Sequence, residues 1–268
     1  AIAWSTTAWS SMASPSIASA TDRVRITPQA VLRLLGMLGV LLFLIVPHLC
    51  YRAVGRPSPM VMAFLNAVGW LGGLRIRTTG KRLKRNVLFA ANHVSWLDIM
   101  ALGGAARSSF VAKSEVRDTP LVGWLSDQNH SVYVERAAKR DAHAQAHSLH
   151  RALHHGRPVT LFPEGTTWTG REILPFRASL FQAVAPPPPG VRIQPVLLDY
   201  GEVGPEICWI GEESGIANFF RVLARLRNIP LTIHYLDPLP FDTAHDRKAI
   251  AEACRSAITH RMHAVGLC

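Results

Sequence analysis

The sequence predicts an α/β fold, in which a mostly parallel mixed sheet is flanked by helices and preceded by an N-terminal membrane-associated helical hairpin. Two observations support this. From residue 86 onward, short apolar strands alternate with helical segments, which is typical of a parallel sheet covered by helices. Before that point, two apolar stretches follow each other with no strand pattern between them, which favours a pair of helices at a membrane.

Three parts of the chain follow from this pattern. We predict a disordered tail over residues 1–29, because its first part is rich in Ser, Ala and Thr and nearly uncharged. A membrane-associated two-helix segment is predicted over residues 30–78. Residues 79–268 are predicted to form the α/β domain that carries any chemistry.

The hairpin prediction depends on the length and flanks of its apolar stretches, residues 31–49 and 60–74. The uninterrupted apolar core of the first, residues 34–46, is shorter than the about 20 residues of a membrane span. Basic residues lie on both sides of each stretch, whereas a single span usually has them on one side. We therefore predict two short helices that insert into one leaflet. A spanning helix and a buried core helix are the alternatives.

The charge of the chain indicates its partner. The formal net charge is +11, and six basic residues without any acid lie in residues 75–85, directly after the second apolar stretch. Each contributes about 1 kcal/mol of attraction to an anionic leaflet. An anionic membrane surface is therefore the predicted partner, with a solvated basic loop as the alternative. No nucleic-acid-binding motif is present, so nucleic acid is not a predicted partner.

Seven strands are predicted after the hairpin, at residues 86–91, 108–113, 131–135, 158–162, 193–198, 206–210 and 231–236. The helices between them are predicted at residues 95–106, 119–127, 137–155, 175–185, 215–227 and 246–265.

His93 and Asp98 follow the first predicted strand, at the end where α/β sheets bind ligands. A carboxylate five residues on, in the first turn of the next helix, can fold back and orient the imidazole. The other ring nitrogen is then free to take a proton from a substrate hydroxyl. The alternative is that Ser95 and Asp98 form only a helix capping box, with His93 in an ordinary loop.

A second segment, LFPEGTT over residues 161–167, also follows a predicted strand. Its Pro-Glu-Gly turn can expose backbone N–H groups and the carboxylate of Glu164 to a site. The alternative is a surface turn with a solvated glutamate.

In chain order, NHVSWLD, VAKSEV, VYVER, LFPEGTT and QPV resemble the motif blocks of the lysophosphatidic-acid acyltransferase family over residues 85–200. The resemblance implies that His93 is the catalytic base and Asp98 its orienting acid. It implies that Lys113 and Arg136 bind the acceptor head group and that Pro195 shapes the acyl-binding wall. The full set of substrate-binding residues it implies is Lys113, Arg136, Phe162, Pro163, Glu164, Gly165, Thr166, Thr167 and Pro195.

By this resemblance, the chain moves a fatty acyl group from acyl-CoA or acyl-carrier protein to the free hydroxyl of a lysolipid, with no metal and no cofactor. The expected location is the cytoplasmic face of the inner membrane. A lipid-binding protein without catalysis would have lost His93 or Asp98, and both are present. A thioesterase, which would use water as the acceptor, is a further alternative.

The expected acceptor is 1-acyl-sn-glycerol-3-phosphate, which would give phosphatidic acid. Thr167 stands where many phosphate-accepting members of the family have an arginine, the natural bidentate ligand of phosphate. Arg171 or Arg177 could take its place. The alternative acceptor is lyso-ornithine lipid, because residues 173–181 resemble members that act on it.

Four histidines share one face of the helix predicted over residues 137–155: His143, His147, His150 and His154. Metal sites of this kind usually include carboxylates at similar spacing, and none is present there. We predict a polar helix face at this position, not a metal site.

Overall fold

The structure, a computed structural model, describes residues 26–134, 149, 152–153, 156–241 and 246–267, without the side chains of Lys113 and Val134. The strands of this part are β1 Leu74–Thr79, β2 Val87–Ala91, β3 Ser109–Lys113, β4 Val132–Val134, β5 Val159–Leu161, β6 Arg192–Asp199 and β7 Ile229–Tyr235. Its α-helices are α1 Pro28–Ala53, α2 Met60–Leu71, α3 Leu97–Ala105, α4 Pro120–Gln128, α5 Gly204–Ile207, α6 Gly215–Leu223 and α7 Arg247–Ala264. The predicted tail, most of the predicted 137–155 helix and its four histidines lie outside this description.

All seven described strands form one sheet in the order β1-β7-β6-β2-β5-β3-β4. Neighbouring strands are parallel except β6 and β7, which are antiparallel. The predicted mostly parallel mixed sheet is therefore confirmed. Because β2 to β6 all run in one direction, their last residues meet at one edge of the sheet, which we call the carboxyl edge. Their first residues meet at the opposite, amino edge.

Six of the seven predicted strands are confirmed, and the seventh is wrong. Residues 206–210 hold the end of α5 and a following loop, in which Ile207 and Cys208 are buried. Gly204 and Pro205 begin a helical turn there, so the apolar run packs as a turn instead of a strand.

The sequence pattern does not predict β1, which overlaps the basic segment at residues 75–85. Arg75 and Arg77 alternate along it with Leu74 and Ile76, and the strand lies at the edge of the sheet beside β7. Charged residues are common on edge strands because they discourage pairing with other chains. The sheet thus begins inside the segment that was assigned to the hairpin; the three-part division of the chain stays a prediction.

The first helix of the hairpin is longer than predicted, with 26 residues that continue through Pro47. By length and composition, α1 could cross a membrane, whereas α2 has only 12 residues. Only a narrow stripe of α1 is buried against the protein, at Ala30, Arg33, Met37 and His48. The rest of α1 exposes a set of large apolar side chains: Val31, Leu32, Leu34, Leu35, Leu38, Leu42, Phe43, Val46 and Leu49. Insertion into one leaflet stays a prediction.

The hairpin is attached to the sheet through α3. Gly103 and Gly104 bring α3 so close to α2 that an added Cβ would lie 2.6 Å from Leu65 Cδ1 or 2.4 Å from Asn66 Oδ1. In the layer below, Val87, Phe89 and Ala91 of β2 point into one apolar cluster and Leu88 and Ala90 into another. The central strand β2 is therefore buried on both faces, and the loop that follows it begins at a tightly packed strand end.

Candidate active site

The loop after β2 begins with a residue that holds two strands together. Asn92 Nδ2 donates to Leu198 O at 3.1 Å, and Leu198 N donates to Asn92 Oδ1 at 2.7 Å. This pair of bonds fixes the chain at the carboxyl edge one residue before His93.

The predicted contact between His93 and Asp98 is present, with 2.7 Å between Nδ1 and Oδ2. Asp98 is fully buried, whereas the His93 side chain is 20% exposed. A carboxylate accepts only, so Nδ1 carries the proton and Nε2 is left as an acceptor. The exposed part of the ring can therefore take a proton from a hydroxyl that approaches from the carboxyl edge.

Three further donors hold the Asp98 carboxylate. Val94 N and Ser95 N donate to Oδ2 at 2.7 and 3.0 Å, and Tyr200 OH donates to Oδ1 at 2.6 Å. Burial of a carboxylate is costly unless donors surround it, and here four converge on it. The contact with Ser95 N is one half of the capping box. Ser95 Oγ is buried without a partner in the described chain, so the other half is missing.

The imidazole also lies against an aromatic ring. Phe162, the first residue after β5, stacks on His93 with 4.0 Å between ring centroids and 14° between planes. Phe110 of β3 stacks in turn with Phe162, with 6.1 Å between centroids and 8° between planes. This stack of three rings fixes the plane of the imidazole and excludes water from one of its faces.

Glu164 binds the protein backbone with both of its oxygens. His93 N donates to Oε1 at 2.8 Å and Leu174 N donates to Oε2 at 3.0 Å. Burial raises the pKa of this carboxyl to about 7. The sequence suggests that the Glu164 carboxylate faces a substrate. In the structure, its two oxygens instead connect the His93 loop to residue 174 by hydrogen bonds.

An arginine side chain covers the turn after Glu164. Gly165 has φ +74°, and a Cβ added to it would lie 2.8 Å from Arg177 Nε. Arg177 N donates to Pro163 O at 2.9 Å, which fixes the backbone beside the turn. Within the described residues no carboxylate forms an ion pair with Arg177, whereas Arg171 pairs with Glu202.

The two threonines of the segment differ in what they bind. Thr166 is exposed, whereas the Thr167 hydroxyl donates to Trp209 O. Neither backbone N–H of this pair donates to an acceptor in the described part of the chain. The backbone N–H of the next residue, Trp168, donates to His93 O at 2.8 Å, so the segment is fixed to the loop that contains His93.

The remaining predicted residues lie farther from the imidazole or outside the description. Lys113 ends β3 at the carboxyl edge, two strands from β2. Pro195 is buried in β6 opposite Ala90, below the strand ends. Arg136 comes two residues after β4 and lies outside the described residues.

Sequence reasoning missed Tyr200 and Asn92, which hold Asp98 and the His93 loop. Both follow a strand directly, at the carboxyl edge where the site lies. Their position after a strand was the available signal. Nothing in the sequence indicated that residue 200 would reach residue 98.

Comparison with known proteins shows which proteins this chain is similar to. The family model Acyltransferase matches residues 75–199. A lyso-ornithine lipid O-acyltransferase from Rhizobium meliloti (strain 1021) is 34% identical over 67% of this chain and 66% of its own length. The protein of the same description from Rhodobacter capsulatus is 30% identical over 80% and 83%. A 1-acyl-sn-glycerol-3-phosphate acyltransferase from Neisseria gonorrhoeae is 36% identical over 48% and 49%.

The fold also matches a solved structure. The 1-acyl-sn-glycerophosphate acyltransferase PlsC from Thermotoga maritima has a TM-score of 0.60 with 19% sequence identity, and the match covers 88% of this chain and 97% of that one.

At pH 4.5 we expect Glu164→Gln to lower the free energy of unfolding by about 1–3 kcal/mol, because its amide NH₂ would face one of two backbone donors. The loss should depend on pH. The folded-state pKa is raised from 4.5 to about 7, which corresponds to about 3 kcal/mol of wild-type stability. That stability is present below pH 4.5 and is lost as the pH rises through 7, and the glutamine variant does not titrate.

Thermal denaturation in detergent at pH 4.5 and pH 7.5 measures both effects. The exposed Glu212→Gln is the control and should match wild type. The wild-type advantage over Glu164→Gln should shrink at the higher pH, and an advantage that grows with pH would contradict the assignment.

Proposed function

The chain belongs to the acyltransferase family, and on this premise we propose that it transfers a fatty acyl group from a thioester donor to the free hydroxyl of a lysolipid. The observation that carries the proposal is the hydrogen bond from His93 to the buried Asp98, at the carboxyl edge of the sheet. It supplies an oriented base beside an open edge, with no protein nucleophile needed.

The reaction begins at His93 Nε2, which removes the proton of the acceptor hydroxyl. The resulting alkoxide attacks the thioester carbonyl carbon and forms a tetrahedral intermediate. Its collapse breaks the C–S bond, and the His93 imidazolium returns the proton to the thiolate that leaves. The products are the acylated lipid and a free thiol, and the enzyme ends the cycle in its starting state.

Asp98 stabilises the imidazolium that forms during this cycle. Its position is set by two backbone N–H groups on Oδ2 and by Tyr200 on Oδ1. Tyr200 therefore acts as a positioning residue, because it touches the carboxylate and not the reacting atoms. Phe162 keeps the ring plane fixed while its charge changes.

The oxyanion of the intermediate needs donors that are not already used. The backbone N–H groups of Thr166 and Thr167 meet this condition among the described residues, and Trp168 fixes their segment to His93. We assign the oxyanion-binding role to these two groups. Glu164 supports them indirectly by holding the turn against the His93 loop.

Lyso-ornithine lipid is the acceptor that the relatives favour. The relatives with that description match over 66–83% of their own lengths, against 49% for the Neisseria gonorrhoeae phosphate-accepting relative. Thr167 fits a zwitterionic head group, because an arginine at this position would repel the ammonium group of the lipid. Its hydroxyl binds Trp209 O in place of a substrate. We assign the binding of the acceptor carboxylate to Arg177, because its side chain lies close to Gly165 and a guanidinium binds carboxylate oxygens in pairs.

1-Acyl-sn-glycerol-3-phosphate is the second candidate acceptor, and Arg177 favours it as well. No carboxylate of the described residues pairs with Arg177, so its guanidinium can bind phosphate as readily as a carboxylate. Lys113 and Arg136 are proposed to complete the head-group site. The donor is acyl-CoA or acyl-carrier protein, since either presents the same thioester to His93.

The enzyme meets its lipid substrates at a membrane. The exposed apolar surface of α1 continues onto α4 at Leu121, Val122 and Trp124. His48 connects the two helices by a 3.0 Å bond to Gln128. An apolar surface of this size is unfavourable in contact with water, and it fits the acyl region of a leaflet. The basic residues at 75–85 favour the cytoplasmic face of the inner membrane.

His93→Ala should lower kcat by about 10²–10⁴-fold, because the base is lost. Tyr200→Phe should lower kcat by about tenfold and shift the pH–rate profile, since one of four donors to Asp98 is removed. Both are measured in detergent with a labelled acyl thioester and a lysolipid. The exposed His260→Ala and Tyr51→Phe are the matched controls. Normal turnover by a folded His93→Ala protein would refute the mechanism.

The acceptor assignment is tested with two lipids side by side. Arg177→Ala should raise KM for the preferred acceptor by about tenfold or more, because a charged hydrogen bond is lost. Arg171→Ala should not, since Arg171 pairs with Glu202. Thr167→Arg should improve the use of 1-acyl-sn-glycerol-3-phosphate and impair that of lyso-ornithine lipid. Wild-type preference for the phosphate acceptor would reverse the order of the two candidates.

Membrane association should resist salt. At 1 M NaCl the electrostatic attraction is screened within about 3 Å, but the apolar contact of α1 remains. Most of the protein should therefore stay with the membrane, and Leu42→Ser with Phe43→Ser should increase the released fraction. Sedimentation of membranes with and without salt measures both. Full release of wild type by salt alone would contradict insertion of α1.

A further inference from the structure

A large basic cavity lies at the amino edge of the sheet, opposite His93. It encloses about 650 Å³ between the end of α1, the loop from α1 to α2, the end of α4 and the segments that lead into β2, β3 and β5. Six cationic side chains line it: Arg52, Arg56, Lys84, Arg85, Arg107 and Arg157. Of the described residues, no aspartate or glutamate does. The residues come from four separate parts of the chain, and only the fold brings them together.

No carboxylate of the described residues neutralises the positive charges of this cavity. In the described part of the chain, none of the six forms an ion pair. Burial lowers the pKa of Arg157, and burial together with Arg157 and Arg52 lowers the pKa of His130 at the cavity wall. The cationic side chains that line the cavity together create a positive potential, to which the effect of Arg157 and Arg52 on His130 belongs, and an anion in the cavity would relieve it.

The backbone around the cavity is held in unusual conformations. Asn86, Arg107 and His130 precede β2, β3 and β4, and each has φ between 49° and 57°. No other non-glycine residue of the described chain has a positive φ. Because this conformation is unfavourable for residues with a Cβ, packing at the amino edge must enforce it. The loops that present the cations are therefore fixed in shape.

We propose that this cavity binds the phosphate of an anionic membrane lipid at a second site, separate from the catalytic one. Leu42, Val46 and Leu49 lie on the exposed face of α1 one to three turns before Arg52, and Arg56 follows in the loop. A lipid whose phosphate lies among the arginines keeps its chains along this apolar face. Arginine suits the role because its guanidinium binds phosphate oxygens in pairs.

The cavity is too far from the base to serve the transfer itself. The five residues of β2 span about 16 Å at about 3.3 Å per residue, and they separate Arg85 from the loop that carries His93. The bound lipid therefore does not react. It holds the end of α1 at the level of the head groups, so that α1 stays in the leaflet. The inference rests on the proposed membrane association and not on the choice of acceptor.

The test compares two double variants that remove the same charge. Arg107→Gln with Arg157→Gln changes the cavity, and Arg247→Gln with Lys248→Gln changes the exposed start of α7. Full-length protein in neutral detergent is titrated with dihexanoyl phosphatidylglycerol, dihexanoyl phosphatidylcholine and inorganic phosphate by calorimetry. The cavity variant should bind the phosphatidylglycerol at least about tenfold more weakly than wild type, whereas the α7 variant should match wild type.

Several results would overturn the proposal. Absence of phosphatidylglycerol binding by wild type would do so, as would equal losses in both double variants, which indicate general charge only. Binding of inorganic phosphate as tight as that of phosphatidylglycerol indicates a free-phosphate site. A raised KM for an acyl-carrier-protein donor in the cavity variant indicates a protein-docking surface. If that variant fails to fold, Arg56→Gln with Lys84→Gln tests the same cavity from its exposed rim.

His93→Ala separates this inference from the proposed function. It should lose transfer activity and keep wild-type phosphatidylglycerol binding, because the two sites lie at opposite edges of the sheet. A wild-type protein that acylates no lysolipid but binds phosphatidylglycerol through the cavity would refute the proposed function and leave the second site intact.

Discussion

The buried carboxylate of Asp98 is the constraint on which the site depends. It receives four donors, from the His93 ring, two backbone N–H groups and Tyr200. An ionised carboxylate without such partners would be strongly unfavourable in this environment. The donors come from the loop after β2 and from the residue after β6, so satisfying this one group fixes two neighbouring strand ends relative to each other. The orientation of the imidazole follows from that geometry.

A second buried carboxylate extends the same principle to β5. Glu164 binds His93 N and Leu174 N, and Trp168 N binds His93 O. The loop after β2 is thus held by hydrogen bonds from both sides, and the Phe162 ring covers the imidazole. Glycine is required at position 165, where the backbone is left-handed and the Arg177 side chain lies close. The exposed side chain of Arg177 therefore lies beside the turn that hydrogen bonds connect to the His93 loop.

The helical hairpin has an exposed apolar surface on one side and contacts the rest of the protein on the other. Most of α1 exposes leucine, valine and phenylalanine, and only a stripe that includes Arg33 contacts the protein; Arg33 donates to Gly72 O and Leu223 O. Through α2, this helix packs on α3, the helix that contains Asp98. The exposed apolar surface of α1 and the pair of His93 and Asp98 are therefore connected through the packing of α2 on α3. The two edges of the sheet carry different chemistry, the hydrogen-bonded His93 and Asp98 at one and a concentration of arginines at the other.

The sequence by itself determined the sheet class, six strands and the pairing of His93 with Asp98. These depend on local patterns, namely apolar strands, an N-terminal helix turn and a five-residue spacing, which few other structures can satisfy. Tertiary structure alone decided that residues 74–79 form an edge strand, because β7 supplies their hydrogen bonds from 155 residues away. It also decided that Tyr200 completes the Asp98 site, that Glu164 faces the backbone, and that Arg107 and Arg157 meet at the amino edge. Each of these is a contact between segments that are distant in the chain. Strand order and burial decide which segments meet, and the local sequence does not determine either.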